Sequence, residues 1–366
     1  MLTGMRRFSF LGSAIVAIAL GACSRAPAAT DQSPTAAVTP PPASATSPAT
    51  PSGAAATATP VPQPLAWEPL EAAGPAARED HTWTLAGTGE VAYLFGGRDG
   101  TTVFDDTWAF DLGNDTWTEL EPAAAPPARF GHETVWVEGI GIVIFGGQAD
   151  PQTFFSDLWA YDPAANEWSQ LPATGAAPVA RYGSCAAIGP DGRLWISHGF
   201  TQEQSRFSDT RAYDFASGTW TDETPAGPRP VERCLHGCWW TDAGELALYA
   251  GQTTGVTALD DRWILRDGAW SRMEGAPPPA RNLYARARLG SGTIVFGGLG
   301  LDETYLDDLW LLSDGADAEA LDPAGGPPSG RAGAELIIDA TRSRGLLFGG
   351  RGEDGALDDL WILRGL

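Results

Sequence analysis

Six arginines recur along most of the chain, each just after a turn rich in proline and alanine, at intervals of 48 to 52 residues. They are Arg78, Arg129, Arg181, Arg233, Arg281 and Arg331. Aspartates recur with the same period, at Asp106, Asp157, Asp209, Asp261, Asp308 and Asp359. A guanidinium group binds a carboxylate or a sulfate through two parallel hydrogen bonds. The pattern therefore indicates either internal Arg–Asp pairs or a set of arginines that faces an anionic ligand.

These residues belong to a repeat unit in which four short β-rich runs alternate with turns. The second run ends in Gly-Gly in four copies, whereas His198-Gly199 and Ala250-Gly251 stand there in the third and fourth copies. The third run carries a tryptophan in five of the six copies, at Trp108, Trp159, Trp263, Trp310 and Trp361. A fourth run carries another tryptophan in most copies. We expect these rings to fill the space between neighbouring repeat units.

The period near 50 residues, the Gly-Gly pair and the two spaced aromatic residues resemble the kelch motif. Kelch repeats build β-propellers such as the central domain of galactose oxidase. The resemblance covers about Leu65 to Leu366 and implies an all-β, six-bladed propeller with four antiparallel strands in each blade. The segment Trp67–Leu70 precedes Arg78 in the way that a fourth run precedes each later arginine. We therefore predict that it completes the last blade and closes the ring.

In a kelch propeller, the recurring arginines and aspartates would lie near one face, around the axis. Structural pairing is then the favoured interpretation, and a ligand site formed by some of the arginines is the alternative. Histidines lie three residues after the arginine in three units, at His81, His132 and His236. Histidine is common at this place in kelch repeats, so the repeat accounts for them, and we predict neither a metal site nor a cofactor.

Three cysteines lie within the repeats. Cys185 and Cys238 fall on neighbouring inner strands of the expected propeller, and an exported protein can form disulfides. We therefore predict a Cys185–Cys238 bridge, with Cys234 as the alternative partner. No base is clearly placed to activate a thiol, and we predict no catalytic residue.

The N-terminal region resembles a bacterial lipoprotein. Residues 1–22 read as a signal peptide, with Arg6 and Arg7 before an apolar stretch too short to span a bilayer comfortably. The string Leu20-Gly21-Ala22-Cys23 resembles a lipobox, which implies cleavage before Cys23 and lipidation of its sulfur. Residues 23–64 are rich in Ala, Pro, Thr and Ser, so we expect a disordered linker ahead of the propeller at 65–366. The predicted location is a bacterial outer membrane or cell surface.

The net charge of −23 disfavours nucleic-acid binding, and we expect membrane contact only through the lipid. The preferred function is a monomeric, non-catalytic module that binds an unknown protein or glycan, through the loops between second and third strands. The alternative is an extracytoplasmic enzyme that acts on a sugar, as kelch-like mutarotases do. A central pocket with a buried carboxylate beside an unpaired arginine would favour the enzyme, and a salt-bridged channel would favour the module.

Overall fold

The computed structural model describes residues 64–201 and 205–366. These residues form six blades of four antiparallel strands, which confirms the predicted all-β, six-bladed propeller. In the third blade, a short fifth strand pairs in parallel with the outer strand. The signal peptide, the Cys23 lipidation site and the linker up to residue 63 lie outside the described residues. Within the described ranges, no helix has the length and apolar character needed to cross a membrane.

The regular elements are short strands and one 3-10 turn. In chain order they are β1 (Ala66–Leu70), β2 (Thr82–Leu85), β3 (Val91–Phe95), β4 (Thr107–Asp111), β5 (Thr116–Leu120), β6 (Glu133–Val137), β7 (Gly141–Phe145), β8 (Gln148–Asp150), β9 (Thr153–Phe154), β10 (Leu158–Asp162), β11 (Glu167–Gln170), β12 (Thr174–Gly175), β13 (Cys185–Ile188), β14 (Leu194–Phe200), β15 (Arg206–Asp214), β16 (Thr219–Asp222), β17 (Gly237–Trp240), β18 (Leu246–Tyr249), β19 (Arg262–Arg266), β20 (Ala269–Arg272), β21 (Ala285–Leu289), β22 (Gly292–Leu299), β23 (Tyr305–Ser313), β24 (Glu319–Leu321), β25 (Glu335–Asp339), the turn Ala340–Arg342, β26 (Arg344–Phe348), β27 (Arg351–Gly352), β28 (Gly355–Ala356) and β29 (Leu360–Arg364).

The blades follow one another along the chain. From the axis outward, the first five are β2-β3-β4-β5, β6-β7-β10-β11, β13-β14-β15-β16, β17-β18-β19-β20 and β21-β22-β23-β24. Two further hairpins, β8-β9 and β27-β28, extend the loops after second strands.

The sixth blade joins the two ends of the described repeats. Its order is β25-β26-β29-β1, so the first strand in the sequence is the outermost strand of the last blade. Trp67 pairs with Leu363 and Leu70 with Leu360 in antiparallel register. The predicted ring closure by Trp67–Leu70 is therefore confirmed.

The core lies between the blades. Second strands such as β7 and β26 are buried at every position, because neighbouring blades cover both of their faces. Between the last and first blades, the rings of Trp117 and Phe348 lie 5.1 Å apart. At about 25 cal/mol per Å², burial of one such indole contributes about 4 to 6 kcal/mol.

The two sets of tryptophans differ in burial. The fourth-strand rings are buried, with Trp220 only 1% exposed. The third-strand rings, such as Trp108, remain half-buried. The expectation that both sets fill the space between blades therefore holds in full only for the fourth strands. The third-strand indoles have a different role, which depends on their N–H groups.

Candidate functional site

The six recurring arginines make the same contacts in every blade, an arrangement that we call an Arg–Asp bracket. In the second blade, Arg129 Nη1 and Nη2 donate to the two carboxylate oxygens of Asp157 at 2.7 and 3.0 Å. Arg129 also donates to the carbonyls of Gly146 at 2.9 Å and Pro127 at 3.0 Å. The other five brackets are Arg78–Asp106, Arg181–Asp209, Arg233–Asp261, Arg281–Asp308 and Arg331–Asp359.

Each bracket aspartate accepts a hydrogen bond from a third donor. In five blades it is the indole N–H two residues further on, at 2.6 to 2.8 Å, from Trp108, Trp159, Trp263, Trp310 and Trp361. In the third blade, Arg211 Nε donates to Asp209 at 3.1 Å instead. The bracket arginine side chains are at most 1% exposed. The structure therefore places all six arginines in the pairing role, out of reach of a ligand.

The brackets keep their carboxylates ionised. Burial by itself would raise the pKa of Asp157, but the hydrogen bonds and the positive charge of Arg129 outweigh it and hold that pKa below its ordinary value. The same balance lowers the pKa of Asp209, Asp261, Asp308 and Asp359. These carboxylates are saturated with donors and suit a structural role.

We call the end of the propeller that holds the brackets the loop face, because the loops from second to third strands lie there. Two arginines that the repeat pattern did not single out reach this surface. Arg351 Nε donates to Glu79 Oε1 at 2.8 Å, and Arg98 Nη2 lies 2.9 Å from Asp80 Oδ2. The side chains of Arg98 and Arg351 are 34% and 31% exposed. They border a groove of about 570 Å³ that also includes Tyr305.

Four aromatic side chains continue from this groove across the loop face, and we call them the aromatic stripe: Phe130, Phe154, Tyr182 and Phe200. Adjacent ring centroids lie 5.7 to 6.1 Å apart. Arg98 stacks over Phe130 with its guanidinium carbon 4.1 Å from the ring centroid, and Arg206 lies 5.3 Å from that of Phe200. Arginine therefore flanks the stripe at both ends.

A closed circle of backbone hydrogen bonds surrounds the axis beneath the loop face. Each of its six residues donates its N–H to the carbonyl of the equivalent residue in the preceding blade, at 2.8 to 3.1 Å. The members of this collar are Asp80, Gly131, Gly183, Leu235, Leu283 and Gly333. All six have φ between 52° and 66°, a left-handed conformation that favours glycine. The side chains of Asp80, Leu235 and Leu283 line the small cavity at this level, of about 70 Å³.

Below the collar, the first strands enclose a central channel with a cavity of about 490 Å³. Four charged side chains line it, and we call three of them the channel site: Glu133 on β6, Arg286 on β21 and Glu335 on β25. The fourth, Arg288, lies further along β21. Arg286 Nη2 lies 3.7 Å from Glu133 Oε2, within ion-pair distance but too far for a hydrogen bond. Within the described ranges, Glu335 has neither an ion-pair partner nor a hydrogen-bond partner.

The channel carboxyl groups titrate near neutral pH. Burial raises the pKa of Glu335 to about 8 and that of Glu133 to about 7, while Arg286 opposes both shifts. Both side chains are half-buried by surface area because they touch the cavity. The first strands line that cavity, so the contact gives less solvation than bulk water provides.

The three repeat histidines pack between blades. The rings of His81, His132 and His236 lie 5.3 to 5.5 Å from Phe348, Phe95 and His198 of the preceding blades. Burial, and then the charge of Arg129, lowers the pKa of His132 to about 3. No group of three His, Cys, Asp or Glu side chains that could hold a metal occurs in residues 64–201 and 205–366.

The cysteines lie at the inner strands of the third and fourth blades. Cys185 on β13 and Cys238 on β17 are joined by a disulfide with an S–S distance of 2.10 Å. Cys234 is free and buried, and burial raises the pKa of its thiol. An un-ionised thiol is a weak nucleophile, so the geometry gives no support to a catalytic cysteine.

The channel site was not predicted from the sequence, because the prediction relied on residues that the repeats have in common. Glu133 and Glu335 occupy the position four residues after the bracket arginine, where the other blades have Thr82, Cys185, Gly237 and Ala285. That variation is the signal that could have identified the site. First-strand residues next to the axis form the channel, so a charge at this position in only some blades indicates a special environment.

Six four-stranded blades, each held by an Arg–Asp bracket and a glycine-rich second-strand end, define a kelch-type β-propeller. The chain belongs to the KLHDC2/KLHL20/DRC7 Kelch-repeats domain family, whose family model matches residues 62–251 and 199–365.

Relatives from animals and plants share part of this chain. It is 25% identical over 252 residues to multiple epidermal growth factor-like domains protein 8 of Mus musculus, covering 63% of this chain and 9% of that protein. It is 27% identical over 265 residues to Adagio-like protein 1 of Oryza sativa subsp. japonica, covering 64% and 41%. It is 28% identical over 203 residues to the Rab9 effector protein with kelch motifs of Homo sapiens, covering 52% and 54%. The matched region thus spans only part of each relative.

Proposed function

We propose that this protein is an exported, lipid-anchored kelch propeller that binds a protein partner through its loop face. The observation that carries the proposal is an asymmetry between the two ends of the propeller. The large apolar side chains that are most exposed in the described residues all belong to loops of the loop face: Val179, Val231, Val256 and Leu301. Their common position at one end of the propeller favours that end as an interaction surface.

The chemistry of the surface suits a protein more than a glycan. Binding hot spots between proteins are enriched in tyrosine and arginine, set among apolar neighbours that exclude water. The aromatic stripe, with Arg98 and Arg206 at its ends, and the neighbouring groove supply this combination. Exposed aliphatic side chains such as Leu301 offer little to the hydroxyl groups of a sugar.

The channel bears on the alternative of an enzyme that acts on a sugar. That alternative called for a buried carboxylate beside an unpaired arginine. Arg286 instead lies within ion-pair distance of Glu133. Because Arg286 is not unpaired, the channel does not meet the criterion for the enzyme, and we retain the module as the proposed function.

Partner capture by the full-length chain tests the role of the loop face. The double variant Phe154→Ala, Leu301→Asp removes one ring of the stripe and one exposed leucine. The matched control is Phe215→Ala, Thr88→Asp, which changes an aromatic ring of similar burial and an exposed residue at the opposite end of the blades. We expect cross-linked partners to be lost in the loop-face variant and kept in the control. Equal capture by both variants, or binding on a glycan array alone, would contradict the proposal.

Anchoring through Cys23 is a separate part of the proposal, supported by the lipobox-like string at residues 20–23. A Cys23→Ala chain should move from the membrane fraction to the soluble fraction and should not incorporate a radiolabelled fatty acid. If Cys23→Ala stays membrane-bound after export, the lipid anchor is the wrong assignment.

A further inference from the structure

The central channel lies beneath the loop face. The collar narrows it above, where Asp80, Leu235 and Leu283 line the narrow end. Below, the cavity of about 490 Å³ extends along the first strands to Arg288, which pairs with the exposed Asp242. The channel site therefore lies near the narrow end of a pocket whose wider part extends toward the opposite face of the propeller.

When both of its carboxyl groups are ionised, the channel site has more negative charge than Arg286 neutralises. Glu133 has one distant ion pair, and Glu335 has no partner among the described residues. A bracket aspartate, by comparison, accepts three hydrogen bonds. A carboxylate enclosed by protein is destabilised unless donors or a countercharge reach it. One positive charge with N–H donors is what the site lacks.

Unpartnered histidines at the narrow end are an independent indication of the same kind of ligand. His81 and His236 are 2% and 4% exposed, line the cavity, and have no hydrogen-bond partner at either ring nitrogen. Burial lowers the pKa of both far below the ordinary value, so both are neutral. A neutral imidazole has one nitrogen that accepts a hydrogen bond. The cavity thus offers carboxylate and imidazole acceptors to a donor.

We propose that the central channel binds a small organic cation through a primary ammonium group held by Glu133 and Glu335. An ammonium group has three N–H donors and no acceptor, which matches these carboxylates. When both carboxyl groups are ionised, they carry more negative charge than Arg286 neutralises, and this disfavours an anion beside them. The channel site is independent of the loop-face function, because Glu133, Arg286 and Glu335 belong neither to the aromatic stripe nor to the neighbouring groove.

The proposal predicts that binding of the cation releases protons. The titratable and charged groups that line the cavities around the two carboxylates are Asp80, His81, His132, His236, Tyr284, Arg286 and Arg288. With pKa values of about 7 and about 8, Glu133 and Glu335 retain protons near neutral pH. A bound ammonium group favours the ionised form, so affinity should rise with pH until both carboxyl groups are ionised.

Calorimetry of the full-length chain with three small probes tests the proposal: ethylammonium, acetate and glycerol. We expect only ethylammonium to bind, with an apparent enthalpy at pH 7 that depends on the ionisation enthalpy of the buffer because protons are released. Glu335→Gln, which keeps the shape of the side chain, should weaken ethylammonium binding about tenfold or more. Glu353→Gln, a charge change in an exposed loop, is the matched control and should leave it unchanged.

Three results would overturn the proposal. The first is that the unmodified chain does not bind ethylammonium. The second is that both variants weaken ethylammonium binding equally, which would indicate general attraction to an acidic surface. The third is that acetate binds as tightly as ethylammonium. Thermal unfolding of both variants checks that each is folded. Loss of the channel site would leave partner capture by the loop face intact, so the two proposals can fail separately.

Discussion

The Arg–Asp brackets and the channel site use the same side-chain chemistry in opposite ways. In a bracket such as Arg129–Asp157, each carboxylate oxygen accepts from the guanidinium, and an indole N–H completes the set. In the channel, one guanidinium at 3.7 Å serves Glu133, while Glu335 has no partner in the described part of the chain. The pKa is lowered at Asp157 and raised at Glu335 as a consequence.

This difference separates structure from function within one set of charged residues. A saturated bracket has no capacity left for a ligand, and it recurs six times because every blade needs it. The channel carboxylates occur in two blades only and leave their hydrogen-bonding capacity unused. Unsatisfied polar groups in an enclosed site are therefore a better guide to ligand binding here than the repetition of charged residues.

The largest expected effect is the loss of a bracket. Arg129→Ala leaves Asp157 and the Gly146 carbonyl without their main donor, and we expect the free energy of unfolding to fall by about 3 to 5 kcal/mol. Arg364→Ala, which removes an exposed ion pair with Glu68, is the control and should cost less than about 1 kcal/mol. Urea unfolding of both variants measures the difference. Similar small losses would mean that the brackets are not structural.

A somewhat smaller effect is expected from the disulfide, which ties the inner strands of two blades beside the channel. The Cys185–Cys238 bridge joins residues with a sequence separation of 53. Substitution of both cysteines by alanine should lower the free energy of unfolding by about 2 to 4 kcal/mol. Urea unfolding of native and variant chains without reductant gives this value. Cys234→Ala, which leaves the bridge intact, is the control, and an equal loss there would show that the bridge has no special role.

The channel should make stability fall as pH rises. Because the pKa of Glu335 is about 8 in the folded chain and 4.5 without the fold, the folded state binds more protons than the unfolded state between these values. Its contribution is fully present below pH 4.5 and is lost as pH rises through 8. We expect Glu335→Gln to be more stable than the native chain at pH 8 by about 1 to 3 kcal/mol, with little difference at pH 4.5.

The measurement is urea unfolding at a series of pH values, with Glu353→Gln as the control. If the stabilities of the native chain and the Glu335→Gln chain change in parallel with pH, then Glu335 is not a buried carboxyl group without a partner.

The smallest effect is expected where one bracket already departs from the repeat. Arg211 donates to Asp209 in the position that tryptophan holds in the other five blades. Because an indole N–H can replace that donor, Arg211→Trp should change the free energy of unfolding by no more than about 1 kcal/mol. Arg211→Ala is the control that lacks any donor, and it should be the less stable of the two in thermal unfolding. If the tryptophan variant is the less stable, the two donors are not equivalent.

The repeat pattern was sufficient to predict the architecture. The period of the arginines gave the number of blades, and the likeness of Trp67–Leu70 to a fourth strand gave the closing strand, which pairs with β29. The spacing of Cys185 and Cys238 placed them on neighbouring inner strands, where the structure has a disulfide. Each of these inferences assumes that equivalent residues of the repeats occupy equivalent positions in the blades. This holds because each blade packs against its neighbours in the same way.

The channel and the collar could not be predicted in the same way. Whether Arg286 reaches Glu133 across the channel depends on side-chain direction and on the glycine at Gly237, over which the arginine side chain lies. The burial that raises the pKa of the channel carboxyl groups depends on all six blades together. The sequence patterns, by contrast, were interpreted one blade at a time. The aromatic stripe likewise combines residues from different blades, at positions where the repeats differ.

Carbon-13 NMR titration of the side-chain carboxyl groups tests the contrast between bracket and channel most directly. In one full-length chain, we expect a midpoint below 3.8 for Asp157 and near 8 for Glu335. Titration of both groups near pH 4, the range of ordinary exposed carboxylates, would contradict it.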